Sequence, residues 1–226
     1  MTKIAVNSKL IVNWWDYYLI KWVIKKSATI YVKTKPDIMK FILDKDMLNY
    51  RRKGLIKAIF RLVMESRLEY YGKTDEMVIY DTAKQTSKRL KFDIMAIEII
   101  ERILNLHLEF DVYNSELFIL NNILKNVKFL IRKNIITDIG IASETLIQGE
   151  YKILKPYLKD AIVLDIGAYI GDSSIKFILD GAKKVYAFEP HPELYNLSLK
   201  NIDLNNLGSK IILKNAGVSN KETNLI

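Results

Sequence analysis

A glycine turn and two carboxylates stand close together in the last third of the sequence. Gly167 and Gly171 enclose the turn, Asp165 precedes it by two residues, and Glu189 follows Asp165 by 24 residues. Glycine at such a turn lets the backbone approach a ligand closely, because no Cβ stands in the way. An acidic side chain that ends the next strand can accept hydrogen bonds from both hydroxyls of a ribose. The sequence therefore predicts a binding site for an adenosine-containing ligand.

The turn departs from the pattern that binds dinucleotides. In that pattern, G-x-G-x-x-G, the second glycine lets a pyrophosphate touch the backbone. Tyr169 occupies the place of this second glycine. Its side chain would crowd a pyrophosphate, so the turn favours a ligand without phosphates.

The segments around the turn have the pattern of an open parallel sheet. AIVLDIG is a continuous apolar run, typical of a parallel strand buried on both faces. A helix SSIKFIL closed by Gly181, a second buried strand KVYAFE, a helix that begins at Pro192 and a strand KIILKNA follow it. This order of strand, helix, strand, helix and strand, with short connections, predicts an α/β fold.

Three linked segments in this region resemble the FkbM-type class I methyltransferases. VLDIGAYIGDSSIKF, KVYAFEPHPELYNLSLKNIDLNN and IILKNAGVSNKE follow the family pattern D-x-G-A-x-x-G-D, F-E-P-x-P, N and A-x-S. The resemblance covers about the last third of the chain. It implies a Rossmann-like sheet preceded by an α+β amino-terminal region, with S-adenosyl-L-methionine as the cofactor.

The resemblance also implies roles for individual residues. Gly167, Ala168 and Gly171 would line the methionine and ribose part of the cofactor, Glu189 would hold the ribose diol, and Asp165 would lie near the amino-acid moiety. Asn215 and Ala216 match the place where the family closes over adenine. The complete set of candidate cofactor-binding residues is Asp165, Gly167, Ala168, Tyr169, Gly171, Glu189, Pro190, Asn215 and Ala216.

Structural roles compete with some of these assignments. Glu189 is alternatively a helix-capping or surface carboxylate, and Tyr169 alternatively packs against the loop. Tyr151, just ahead of the first strand, either leans over the methionine end of the cofactor or packs in the core. We interpret His191 as a loop residue and His107 as structural.

The resemblance leaves the catalytic base unassigned. In class I methyltransferases the groups that face the acceptor largely follow the fourth strand, and only about three of the family's seven strands are predicted here. We therefore expect this chain alone to be catalytically inactive. VLDIG would then form an exposed sheet edge through which the chain could associate with itself.

Composition narrows the chemistry further. The absence of cysteine excludes disulfides, thiolate metal sites and cysteine nucleophiles. With only two histidines, a histidine metal cage is not expected, and no metal site is predicted. A cysteine-free chain fits a reducing compartment, and we predict a cytoplasmic protein.

Two regions are predicted, an amino-terminal α+β region at residues 1–145 and the partial methyltransferase domain at 146–226. The first contains an aromatic helix at 10–24, paired strands at 28–34 and 38–44, a basic helix at 47–70, a strand at 77–81 and a helix at 91–106. Residues 108–131 show no clean period. From residue 144, ETLIQGEYKILKPYLKD predicts a helix interrupted near Pro156.

The aromatic helix at 10–24 is not expected to span a membrane. Asp16 and Lys21 interrupt an apolar run that is already shorter than the roughly 18 to 20 residues required. Packing on its own domain is the expected fate of this helix. Peripheral contact with a membrane interface is the alternative.

The amino-terminal charge leaves the methyl acceptor open. Residues 1–90 hold 19 Lys and Arg against 9 Asp and Glu, which suits RNA, acidic carbohydrate or anionic lipid, or simply a solvated surface. The resemblance favours O-methyl transfer to a small-molecule, sugar or glycan hydroxyl. An RNA methyltransferase and a truncated, non-catalytic binding remnant are the alternatives. Tight RNA binding is not expected, because no aromatic stacking residues interleave with the basic run at 51–61.

Overall fold

The computed structural model describes residues 27–44 and 52–220. The helix predicted at 10–24 and the first residues of the helix predicted at 47–70 lie outside this part of the chain. The chain divides between His107 and Leu108 into two compact units. The domain boundary near residue 145 stays a prediction. Among the described residues, no helix is long and apolar enough to cross a membrane.

The amino-terminal unit begins with the predicted pair of strands. β1 (Ser27–Lys33) and β3 (Ile38–Asp44) pair antiparallel over their full lengths, so this prediction is confirmed. Between them lies β2 (Lys35–Pro36), which pairs in parallel with β4 (Leu68–Tyr71).

The basic helix is shorter than the sequence predicts. α1 (Arg52–Met64) ends at Met64, and Ser66 follows with a left-handed φ of 55°. The predicted helical residues 68–70 instead lie in β4. The tyrosines of that strand suit a pleated, half-buried surface better than a helix.

A meander completes this unit. β5 (Glu76–Asp81) confirms the strand predicted at 77–81, and β6 (Thr86–Lys91) pairs with it antiparallel. The following helix starts later than predicted at 91: a 3₁₀ turn leads into α2 (Ile97–Asn105). Asp93 caps that turn by accepting a hydrogen bond of 2.9 Å from the backbone N–H of Met95.

The second unit opens with a meander that sequence periodicity did not reveal. β7 (Glu109–Val112), β8 (Leu117–Leu124) and β9 (Val127–Arg132) pair antiparallel. The register between β8 and β9 is irregular between Leu120 and Leu124. Such an irregularity disrupts strict alternation of apolar and polar residues, which explains the unclear pattern at 108–131.

A broken helical segment joins the meander to the parallel sheet. α3 (Ile136–Ala142) runs into a π-helical turn that ends at Gly149, which has a φ of 71°. A short helix, α4 (Lys155–Leu158), precedes the sheet. The predicted interruption at Pro156 is wrong, because the break lies at Gly149. Pro156 stands in the first turn of α4, where its missing N–H costs nothing.

The predicted parallel sheet is confirmed. β10 (Ile162–Ile166), β11 (Lys184–Phe188) and β12 (Ile211–Lys214) are parallel and lie in that order. α5 (Asp172–Leu179) connects the first two strands, and α6 (Pro192–Leu204) connects the last two. The fold of this region is α/β.

The strand register places the candidate site. Ile166 stands opposite Phe188, and Phe188 opposite Lys214. All three strands therefore end at one level, and the residues that follow them, Gly167, Glu189 and Asn215, begin at one edge of the sheet. Residues far apart in sequence converge there, as expected for an open parallel sheet.

One expectation about the first strand is wrong. Ile162, Leu164 and Ile166 lie on one face of β10 and are 67%, 66% and 63% exposed. Within the part of the chain that the structure describes, this face of the strand is therefore not covered. In the same part of the chain β10 pairs only with β11 and forms an edge of the sheet. The buried members of the sheet include Val185 and Ala187 of β11.

Candidate functional site

The glycine turn is held against the second strand. The backbone N–H groups of Gly167 and Ala168 both donate to the carbonyl of Phe188, at 2.9 and 3.0 Å. Gly167 and Gly171 have φ values of 87° and 88°, a conformation that side chains disfavour. Both glycines are therefore required by the backbone of the turn.

The two glycines differ in what surrounds them. A Cβ on Gly171 would lie 2.7 Å from the hydroxyl oxygen of Ser198, so α6 packs against this residue too closely for any side chain. A Cβ on Gly167 would meet no atom within 4 Å. Gly167 borders open space at the carboxyl edge of the sheet, which leaves room for a ligand against the backbone.

Glu189 lies beside this space with its carboxylate already oriented. One oxygen accepts from the N–H of Tyr169 and the other from the N–H of His191, both at 2.9 Å. Glu189 is only 5% exposed. Each carboxylate oxygen has two lone-pair directions, so each keeps one for a further donor. The side chain can thus anchor the loop and accept from a diol.

The residues that follow β12 support the same part of the site. We call this part, the carboxyl edge of the sheet at Gly167 and Glu189, the corner. The Asn215 amide donates to the carbonyls of Glu189, at 2.8 Å, and Pro190, at 3.1 Å. Asn215, Ala216 and Pro190 are themselves exposed. Asn215 therefore fixes the backbone that presents Glu189.

Asp165 faces the start of α5. Its carboxylate accepts hydrogen bonds from the hydroxyls of Ser173, at 2.7 Å, and Ser174. Buried charges need such partners, and helix N-termini favour a negative charge. The first turn of α5 thus supplies the hydrogen-bond partners of this buried carboxylate.

Asp172, which opens α5, was not among the predicted site residues. It is 3% exposed, and burial raises its pKa to about 6. The negative charges of Asp165 and Glu150 act in the same direction, whereas a hydrogen bond from Thr145 lowers the pKa. Its position directly after Gly171, as the last Asp of the D-x-G-A-x-x-G-D pattern, was the signal that could have found it.

The hydroxyl of Tyr169 lies in a cluster with Asp138 and Arg132, two residues outside the family motifs. The hydroxyl donates to Asp138 at 2.7 Å and accepts from the guanidinium of Arg132 at 3.1 Å. Burial, and next the hydrogen bond to Asp138, raise the pKa of Tyr169. The hydroxyl is therefore protonated at neutral pH and remains a donor.

The remaining residues singled out in the sequence are Tyr151, His191 and His107. The ring of Tyr151 packs against the ring of Phe177 in α5, with centroids 5.2 Å apart and the ring planes inclined at 59°. His191 is exposed in its loop, and His107 lies two residues after the end of α2 with a left-handed φ of 55°. Within the described residues, no group of three or more His, Asp or Glu side chains is arranged to hold a metal ion.

Comparison with known families identifies the segment that carries the site. Residues 165–225 match the methyltransferase FkbM domain. This match confirms the resemblance indicated by the three sequence motifs. No curated protein matches the chain.

Several solved structures resemble parts of the chain. A SAM-dependent methyltransferase from Agrobacterium tumefaciens is 19% identical over 47% of this chain and 34% of its own, with a TM-score of 0.37. The M. jannaschii tRNA m1G37 methyltransferase is 24% identical over 46% and 32%, with a TM-score of 0.31. PRMT6 in its SAH form is 25% identical over 26% and 17%, with a TM-score of 0.26. This chain therefore spans about a third or less of the length of each of these proteins.

Proposed function

We propose that the carboxyl edge of β10, β11 and β12 binds S-adenosylmethionine for methyl transfer, since residues 165–225 match the methyltransferase FkbM domain. The observation that carries this proposal is the pairing of open space over Gly167 with the carboxylate of Glu189 beside it. A backbone gap and a diol acceptor on neighbouring strand ends are what an adenosine-containing ligand requires.

The residues around this edge of the sheet suit S-adenosylmethionine and do not suit a ligand with phosphate groups. Gly167 leaves its backbone approachable, while Ala168 is buried beneath the turn. Glu189 retains acceptor capacity for the ribose hydroxyls. The carboxylates of Asp165, Asp172 and Glu189 would repel a pyrophosphate, whereas a sulfonium ligand is positively charged at sulfur. The corner thus favours S-adenosylmethionine over a dinucleotide.

The reaction that we propose is O-methylation of a small-molecule, sugar or glycan hydroxyl. The bond between methyl carbon and sulfur breaks as the bond between that carbon and the acceptor oxygen forms. The hydroxyl proton leaves to a base, and the sulfonium becomes a neutral thioether. Such a displacement depends mainly on in-line positioning. The contribution of the residues described above is to hold the cofactor, because none of them faces an identified acceptor.

Replacing Glu189 tests the cofactor site. We expect Glu189→Ala to weaken binding of S-adenosylhomocysteine by about 1.5 to 3 kcal/mol, since a carboxylate that bonds the ribose would be lost. Isothermal titration of the 226-residue chain measures this change. Glu144→Gln, an exposed carboxylate of the same unit, is the control and should bind like the unmodified chain. Equal affinity of Glu189→Ala and the control, or equally tight binding of NAD, would contradict the proposal.

An RNA acceptor is the alternative, and the positive charge of residues 1–90 is the observation that favours it. Transfer of a labelled methyl group to tRNA, in the absence of transfer to sugars, would support this alternative. Submicromolar binding of tRNA that weakens steeply with salt would point the same way.

A further inference from the structure

Tyr169 adopts a backbone conformation that requires support. Its φ is 50°, and a left-handed conformation costs a residue with a side chain roughly 1 to 2 kcal/mol. The residue lies between Gly167 and Gly171, which adopt positive φ at little cost. Contacts of Tyr169 must therefore compensate for this strain.

Two carboxylates accept hydrogen bonds from Tyr169, one from its backbone and one from its side chain. Its backbone N–H donates to Glu189 at 2.9 Å, and its hydroxyl donates to Asp138 at 2.7 Å. Asp138 is completely buried. Tyr169 thus connects the carboxylate proposed to bind ribose with a carboxylate on α3.

Asp138 is itself held in place by the guanidinium of Arg132 in β9. The Arg132 guanidinium donates to both Asp138 oxygens, at 2.8 and 2.9 Å, and the Arg132 backbone N–H adds a third bond of 3.0 Å. Paired bonds of this kind define the position of both groups. Arg132 also reaches the Tyr169 hydroxyl at 3.1 Å, so the three side chains form one closed cluster.

A second contact ties the same strand to the loop. Asn201 of α6 exchanges two hydrogen bonds with the backbone of Leu130 in β9, and its amide donates at 2.9 Å to the carbonyl of Ile170. Two adjacent loop residues, Tyr169 and Ile170, are therefore each anchored through β9. All of the anchoring partners in β9 and α3 precede the segment that matches the family.

From these contacts we infer that Arg132 and Asp138 are positioning residues for the cofactor loop. They hold the Tyr169 hydroxyl, which keeps the Tyr169 backbone left-handed and aims its N–H at Glu189. Without this support the residue relaxes toward an ordinary φ, and Glu189 loses a donor that orients it. The inference rests on the proposed function only where cofactor affinity is concerned, because the loop geometry is independent of any ligand.

Hydrogen exchange in the Tyr169→Phe variant tests the loop geometry directly. This change removes the hydroxyl and retains the ring. We expect the amides of residues 167–171 to exchange about five- to tenfold faster than in the unmodified chain, as follows from losing one hydrogen bond to a buried carboxylate. Amides of β11 should be unaffected.

Asn205→Ala provides a matched control. Asn205 lies one turn after Asn201 and bonds the backbone of Lys128 in β9, at 2.7 and 3.1 Å. The Asn205→Ala substitution therefore weakens the docking of α6 on the same strand, but it removes no hydrogen bond to the loop. Its loop amides should exchange at the unmodified rate. If Tyr169→Phe and Asn205→Ala give the same loop exchange, the inference is wrong.

Titration with S-adenosylhomocysteine separates this inference from the proposed function. We expect about five- to tenfold weaker binding in Tyr169→Phe and unchanged binding in Asn205→Ala. If the unmodified chain fails to bind, the proposed function is wrong, and the exchange experiment still decides the loop geometry. If Tyr169→Phe binds like the control, Arg132 and Asp138 do not position the loop for the cofactor.

Discussion

Two buried aspartates, Asp138 and Asp172, lie in opposite electrostatic surroundings. Asp138 is 0% exposed and Asp172 is 3% exposed. Asp138 receives the Arg132 guanidinium and the Tyr169 hydroxyl. The charges that act on Asp172 are those of Asp165 and Glu150, both negative, and Thr145 supplies a neutral hydrogen bond.

Burial alone therefore does not determine what a carboxylate contributes to stability. Removing a charge from water is costly, and a cation with good geometry offsets much of that cost. At Asp138 the ion pair with Arg132 and the hydrogen bond from Tyr169 hold α3, β9 and the loop together. At Asp172 burial and like charges instead raise the pKa to about 6, so ionisation opposes folding near neutral pH.

The largest effect is expected from removing the charge of Asp138. Asp138→Asn should lower the free energy of unfolding by about 3 kcal/mol at pH 7, because it leaves the mostly buried Arg132 guanidinium without its main partner. Denaturant unfolding followed by circular dichroism measures the change.

The control removes the other carboxylate that the same guanidinium contacts. Arg132 also bonds Glu193 at 3.1 Å, and the Glu193 side chain is largely exposed. Glu193→Gln should change stability by less than about 1 kcal/mol, as exposed ion pairs usually do. Equal losses in Asp138→Asn and Glu193→Gln would show that the buried pair is not the stabilising one.

A change of opposite sign is expected at Asp172. Because its folded pKa of about 6 exceeds the ordinary value of 3.8, the folded state binds more protons than the unfolded state between these two pH values. Stability should therefore fall as pH rises from about 4 to 6. Asp172→Asn should abolish this fall and stabilise the protein at pH 7 by about 2 to 3 kcal/mol.

The measurement is the free energy of unfolding from pH 4 to pH 8 in both forms. The two curves should converge at the acidic end and separate as Asp172 ionises. Parallel curves would mean that Asp172 does not titrate in this range. A destabilised variant at pH 7 would mean that the carboxylate makes favourable bonds that outweigh its burial.

Local patterns explain why the glycine turn and its sheet were predictable. The apolar runs of β10 and β11, the glycines at 167 and 171, and Pro192 at the start of α6 each carry their signal within a few residues. The register then brings Gly167, Glu189 and Asn215 to one edge without further information. The succession of strands and helices therefore follows from the sequence, whereas the grouping of the candidate residues follows from the register of the strands.

Contacts between distant segments explain what sequence analysis missed. Asp138 and Arg132 lie 31 and 37 residues before Tyr169, and no periodicity links them. The irregular register of β8 and β9 obscured the strands that carry Arg132. The burial expected for β10 was also wrong, because an apolar run reports composition and cannot show what covers each face of a strand.

The smallest predicted effect concerns the hydrogen bond that favours ionisation of Asp172. Thr145 is 1% exposed, and its bond lowers the pKa of Asp172 against the larger effect of burial. Thr145→Val keeps the shape of the side chain and removes the hydroxyl. The pKa of Asp172 should therefore rise further, and the fall in stability should extend to higher pH than in the unmodified chain. At pH 7 the loss should be about 1 kcal/mol. The same replacement in the Asp172→Asn background should leave the pH profile of that background unchanged, which assigns the shift to this pair. A profile that moves toward lower pH in Thr145→Val would show that the hydroxyl instead stabilises the protonated form, and that the contrast between the two aspartates has another origin.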